Sequence, residues 1–202
     1  MKYLVLREAL KSFTLFSIRE IRKVDKNFHR RRLNDWQDKG YIKKIIRGYY
    51  IFSDLELNEN TLFEIANKIL GPSYVSLEMA LSYYRLIPES VHVVTSVASR
   101  KTYKYETPVG VFTFRKIKPA LFFGYDLNDY GDKYFKIAAI EKAILDYFYL
   151  NPHISEFDAL RINVASFWDQ INEEKFFTYL DKFAQKRLSR TVNRFWRFMK
   201  NA

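Results

Sequence analysis

The stretch from Phe13 to Phe52 constrains the fold most, because its start, stop and turn signals follow one another at fixed spacing. Ser17-Ile18-Arg19-Glu20 reads as a capping box: the Ser17 hydroxyl can accept a free amide of the first helical turn while Glu20 reaches back to the Ser17 amide. A short helix over Ser17 to Val24 follows. Asp25-Lys26-Asn27 supplies turn and cap residues. Phe28 to Lys39 then runs without Gly or Pro as far as Gly40, the residue favoured just past a helix end. Leu33 and Trp36, three apart, share a face that can lock onto Ile18 and Ile21 of the first helix; Phe28 lies off that stripe. Tyr41 to Phe52 holds two β-prone runs joined at Arg47-Gly48, where Gly supplies the positive φ of a tight turn. The order predicts a helix-turn-helix and a hairpin, the outline of a winged helix.

His29, Arg30, Arg31, Asn34 and Asp35 would spread over the remaining surface of the second helix. Arg and Asn present the paired donors, or donor plus acceptor, that match guanine and adenine edges in the major groove. Lys43, Lys44 and Arg47 of the hairpin would meet phosphates, fixing register without reading sequence. An ordinary solvated charged face is the competing explanation, and local charge decides between the two. Residues 1–52 carry 14 Lys+Arg against 5 Asp+Glu, +9 of the chain's net +11. The expected DNA contacts are therefore His29, Arg30, Arg31, Asn34, Lys43, Lys44 and Arg47, on double-stranded operator DNA.

Charge is uneven beyond this segment. Residues 53–181 hold 13 basic and 18 acidic side chains, whereas residues 182–202 hold 7 basic and none acidic. A mildly acidic middle between basic ends suggests two separate basic surfaces rather than a uniform coat. With 202 residues and 48% hydrophobic content the chain can bury a sizeable core. It has no cysteine, which excludes disulfides and thiolate metal sites. No apolar run approaches the roughly 20 residues of a membrane span, and no secretory signal pattern is present, so a cytoplasmic location without membrane contact is expected.

The predicted architecture is α+β: a winged helix-turn-helix over residues 1–53, then an α+β domain over 60–202. Met1 to Lys11, with Leu4, Leu6 and Leu10, would be the first helix of the winged unit. Ser53 to Asn60 is polar and acidic and marks the boundary. Asn60 or Thr61 would cap a helix over Leu62 to Leu70, and Ser76 would begin another, through Leu86. A small antiparallel sheet is expected over about 92–138. It combines a strand at His92 to Val97, a hairpin of Lys101–Thr107 with Val111–Ile117, and a last strand at Tyr134 to Ala138. Asp126 to Asp132 has the composition of an exposed loop. The helical end, 139–200, starts with Ala139 to Leu150 and finishes with one long helix over Glu173 to Met199 at a period near 3.6.

No catalytic constellation stands out. His29, His92 and His153 have no metal-ligand spacing, and phosphate loops, dinucleotide fingerprints and nucleophile elbows are absent. Neither a metal nor a cofactor is expected. Glu141 and Asp146 are five apart and so do not share a helix face; Glu141 reads as a helix-start acid favoured by the dipole. Two basic sets remain. Arg100, Lys101 and Lys104, with Arg115, Lys116 and Lys118, interleave with Tyr103 and Tyr105, as in RNA-binding surfaces, or they guard an edge hairpin against strand addition. Lys182, Lys186, Arg187, Arg190, Arg194 and Arg197 form a stripe that is either solvated or docks to an acidic partner or to nucleic acid. An RNA-binding or general regulatory protein is thus an alternative to a DNA-binding one. A nucleic-acid enzyme would need clustered acids for metal ions, and the sequence has none.

Five strings, Tyr74 to Glu89, Val94 to Lys101, Tyr105 to Arg115, Ile117 to Gly124 and Ile137 to Asp146, resemble in their order and spacing the AbiEi-type antitoxin family. With the Arg47-Gly48-Tyr49-Tyr50 turn and the basic last helix, the likeness spans the chain. The resemblance implies a winged helix that represses the antitoxin's own operon; two copies pairing on an inverted repeat is the accompanying expectation. It also implies a C-terminal domain that counters a cognate AbiEii-like nucleotidyltransferase toxin in phage defence, with direct or indirect contact left open. Operator binding would map onto Arg30, Arg31, Asn34, Lys43, Lys44 and Arg47, while antitoxicity brings no transferable residue motif. Ser53 to Asn60 is shorter than the linker many relatives carry, which argues against independent movement of the two domains.

Overall fold

In a computed structural model of the chain, which describes residues 1–88 and 91–202, the capping box and turn residues do what their chemistry suggests. Helices α1 (Tyr3–Ala9), α2 (Ile18–Val24) and α3 (Arg31–Asp38) precede a hairpin of β2 (Ile42–Ile46) and β3 (Tyr49–Phe52). The short strand β1 (Phe16–Ser17), just before α2, adds to β3 in a three-stranded antiparallel sheet of order β1-β3-β2. Leu6, Leu10, Phe16, Ile21, Phe28, Leu33, Trp36, Ile42, Tyr50 and Phe52 close a small core between the helices and one face of this sheet. Leu4 is not part of it: at 76% exposure it points away, because α1 buries Leu6, and Leu10 follows just past its end.

The rest of the chain is α4 (Glu59–Ile69), β4 (Ser73–Val75), α5 (Glu78–Tyr83), β5 (Val93–Ala98), β6 (Tyr103–Thr107), β7 (Gly110–Lys116), β8 (Tyr125–Tyr130), β9 (Lys133–Ala138), α6 (Ile140–Leu150), α7 (Val164–Gln170), α8 (Glu173–Phe183) and α9 (Lys186–Asn201). The chain is α+β, but the second sheet is neither small nor antiparallel throughout. It has six strands in the order β6-β7-β5-β4-β9-β8, with β5 parallel to β7 and β4 parallel to β9. It also begins earlier than expected, because Ser73–Val75 forms its centre against β5 and β9. Helices cover both faces. Phe63 of α4 meets Phe135 of β9 at 5.2 Å, while on the other side Tyr74 of β4 donates its hydroxyl to Asp146 of α6 at 2.9 Å.

Four further expectations need correction. Asp126 to Asp132 is not a loop. Its first residues form β8, paired with β9 throughout, and Gly131 at φ +62 makes the tight turn. An edge strand needs only one hydrogen-bonded side, so it tolerates Asp and Asn that a central strand would not. The long last helix is two helices, broken where Ala184 adopts φ +48, a left-handed turn with no Gly or Pro to announce it. Residues 155–163 are not helical beyond one 3-10 turn at Asp158–Leu160. Helix starts also shift: Asn58 rather than Asn60 or Thr61 caps α4, its side chain accepting the Thr61 amide at 2.9 Å. Likewise α5 waits until Glu78 because Leu77 sits at φ +62, and α3 starts at Arg31 because Phe28 to Arg30 belong to the turn. Glu89, the end of the first string quoted above, lies outside the described residues.

The three-stranded sheet is buried on both faces. Leu15, Ile45 and Ile51 belong to the large core of the six-stranded body, with Ile46 and Tyr49 packed against it. Thr14 is fully buried and donates its hydroxyl to Glu64 of α4, which also accepts the Tyr130 hydroxyl and pairs with Lys68. On the solvent side Arg7 bridges to Asp54 at 3.1 Å and lies over the Phe52 ring. The short link after the hairpin therefore joins two units that share a packed boundary.

Candidate nucleic-acid interface

The candidate surface is positioned from α2 outward. The Ser17 amide donates to Glu20 at 2.8 Å and the Ser17 hydroxyl accepts the Arg19 amide at 3.1 Å, completing the capping box. Burial pulls the Glu20 carboxyl up, but the Ser17 hydroxyl and amide outweigh it and hold the group below the usual carboxylate range. Asp25 then accepts the Asn27 amide at 3.0 Å, an Asx turn that reverses the chain. Phe28, which the apolar spacing left out, is a wedge of this turn. It is buried and meets the Trp36 ring at 5.4 Å, fixing the angle between α2 and α3. Its position before the helix start, rather than on the helix, is why helical spacing missed it.

With Leu33 and Trp36 buried, α3 turns Arg31, Asn34 and Asp35 outward, and His29 and Arg30 stand exposed in the turn before it. Arg32 is held by the Met1 carbonyl. On the hairpin, Lys43, Lys44 and Arg47 are all exposed. Directly opposite residues of an antiparallel pair point to one side. Lys44 pairs with Tyr50, a member of the small core, so it shares the face that carries α3. Lys43 pairs with Ile51 and shares the face toward the six-stranded body. The expected contacts on one surface are thus Arg30, Arg31, Asn34 and Lys44, with Arg47 at the turn and Lys43 on the reverse. Among the described residues, none of His29, Arg30, Arg31, Lys43, Lys44 and Arg47 forms an ion pair.

The second basic set is split by the fold. Arg100, Lys101 and Lys104 are exposed. Lys101 lies over the Tyr103 ring at 4.2 Å, Tyr103 and Tyr105 meet at 4.5 Å, and Lys104 pairs with Glu106 at 2.6 Å. Arg115 is drawn elsewhere, donating to the Asn151 side chain at 3.0 Å and to the Leu150 carbonyl, where it completes the end of α6. On α9, Lys186, Arg187, Arg190, Arg194 and Arg197 form an exposed ridge opposite Leu188, Val192, Phe195, Trp196 and Met199, which are buried. Lys182 belongs to α8 and lies over Phe123 at 4.9 Å.

One polar cluster had no counterpart in the sequence reading. Lys142 and Asp146, both fully buried on α6, pair with each other, and Asp146 accepts the Tyr74 and Ser76 hydroxyls at 2.9 and 3.0 Å. Burial pushes the Asp146 carboxyl up and the Lys142 ammonium down, and burial followed by the Asp146 charge drives the Tyr74 hydroxyl well above its usual range. The i,i+4 spacing of Lys142 and Asp146 was the available signal. Glu141 is more than a helix-start acid: it is buried and holds Lys175 of α8 at 3.0 Å and the Asn172 amide at 3.1 Å. Among the described residues no group of three acid or histidine side chains could hold a metal ion, and no helix is long and apolar enough to cross a membrane. No protein-family model and no curated protein matches the chain.

Proposed function

We propose that the chain is a DNA-binding antitoxin of the AbiE type, with a winged helix that represses its own operon and a C-terminal body that counters a nucleotidyltransferase toxin. The carrying observation is the exposed, unpaired set Arg30, Arg31, Asn34 and Lys44 on the side of the first sheet that bears α3. Major-groove recognition asks for such a set: a short helix whose Arg and Asn reach base edges, flanked by cations for the phosphates. The element order α1, α2, α3 and hairpin supports the winged-helix reading, and the likeness to AbiEi antitoxins supplies the toxin. Binding would need neither metal nor cofactor.

The test uses the full chain, because the first sheet shares the body's core. Titration against the duplex upstream of its own gene, and against random duplex, should show preference for the former and a steep loss with salt. Coexpression with the neighbouring toxin gene should restore growth. A chain that ignores duplexes in dilute buffer ends the repressor half, and failure to rescue ends the antitoxin half.

A further inference from the structure

The six-stranded sheet has two edges, and the fold treats them differently. Beside β6 lies β2 of the first sheet. The outer edge of β8 forms no backbone hydrogen bond among the described residues. The phase of that open edge follows from the ladder. The Ala139 amide donates to the Gly124 carbonyl at 2.9 Å, and these two residues are in register with the Tyr125 and Ala138 pair. In an antiparallel ladder bonded and non-bonded pairs alternate. Asp126, Asn128 and Tyr130 therefore bond to β9, and Tyr125, Leu127 and Asp129 aim their N–H and C=O groups outward.

Natural edges of this kind are guarded by proline, bulges or charged side chains, lysine above all. β8, Tyr-Asp-Leu-Asn-Asp-Tyr, has two aspartates but no proline or lysine, and its register runs unbroken. Its centre is Leu127, 59% exposed, with Tyr134 of β9 at 56% on the same side of the sheet. We infer that β8 pairs antiparallel with β8 of a second copy of this chain, about a two-fold axis at Leu127, so that one sheet runs through both copies.

The strand's own sequence selects that occupant and that register. Centred on Leu127, the pairing sets Leu127 against Leu127, Tyr125 against Asp129 and Asp126 against Asn128 of the second copy. Each outward residue then meets an outward residue, and no two acids stand directly opposite. Centring on Asp126 would oppose two carboxylates, and centring on Asn128 would oppose Leu127 with Asp129; both are disfavoured cross-strand pairs. The contact is isologous and closes as a dimer.

The inference stands apart from the DNA reading, because its test contains no nucleic acid. The full chain should sediment as a dimer whose population falls on dilution. Leu127→Lys would place two ammonium groups across the axis and should raise the dimer dissociation constant about tenfold or more. Because Leu127 is exposed, thermal unfolding of the diluted monomer should not change. The chain has no cysteine, so Leu127→Cys gives a single thiol that should form an intermolecular disulfide across the axis, at the Cα separation a bonded pair provides. Leu4→Cys, more exposed still on α1, should not. A wild-type monomer at every concentration, a dimer undisturbed by Leu127→Lys, or cross-linking no faster for Leu127→Cys than for Leu4→Cys would each overturn it.

Discussion

The Glu64 carboxylate accepts the hydroxyl of Thr14 across the boundary between the first sheet and the six-stranded body. Burial alone would raise this carboxyl, but the bonds from Lys68, Thr14 and Tyr130 outweigh it and hold it below its usual value. A folded pKa below the unfolded one gives stability that is fully present above the unfolded value and lost as pH falls through the folded one. At neutral pH, Glu64→Gln should therefore cost about 1–3 kcal/mol, the penalty of weakening buried charged hydrogen bonds. The gap between wild type and variant should close below the usual carboxyl value of 4.5. Urea unfolding across the acid range measures both, and a gap constant with pH would contradict the assignment.

At the Lys142 and Asp146 pair the unequal cost of breaking and replacing a buried ion pair can be read directly. Lys142→Met strands a carboxylate with no water to receive it and should lose about 3–5 kcal/mol. Joining it with Asp146→Leu should recover part of that loss. The comparison is made by denaturant midpoints of the single and double variants.

Under the proposed function, Arg31 and the two hairpin lysines should separate by role. Arg31→Ala should reduce preference for the operator over random duplex by about 1–3 kcal/mol. Lys44→Ala should weaken both duplexes alike and lower the salt slope by about 1. Lys43→Ala, on the reverse face of β2, should do less than Lys44→Ala. Fluorescence anisotropy over a salt series distinguishes the three, and equal effects of the two lysines would contradict the face assignment.

Two left-handed positions should respond with opposite signs. Ala184, at φ +48 between α8 and α9, holds a conformation that costs an L-residue roughly 1–2 kcal/mol. Part of that is offset by the entropy of glycine, so Ala184→Gly should gain about 0.5 kcal/mol. Gly124, at φ +70, has no room: an added Cβ would stand 2.8 Å from the Tyr179 ring and 3.2 Å from Lys142 Cγ. Gly124→Ala should lose about 1–3 kcal/mol, since an overpacked site must move its neighbours. Thermal unfolding of the two variants gives both signs.

What could be read from the residues alone was local chemistry. The capping box at Ser17 and Glu20, the Leu33 and Trp36 face and the Arg47-Gly48 turn each depend on neighbours a few residues apart, and each is present as expected. What stayed hidden needs distant partners. β8 carries two aspartates and an asparagine and becomes a strand only because β9 is there to bond it. The break at Ala184 has no Gly or Pro, and packing of α9 back on α8 and α6 supports it. At the candidate interface the residue types were legible, but the opposite facing of Lys43 and Lys44 depends on register with β3.

Ile45 and Ile51 pack into the larger core from β2 and β3, the two strands that carry Lys44 and are joined at Arg47. Moving Lys44 therefore means disturbing the packing of Ile45 beside it, so the charged face of the hairpin and the large core cannot be repositioned separately.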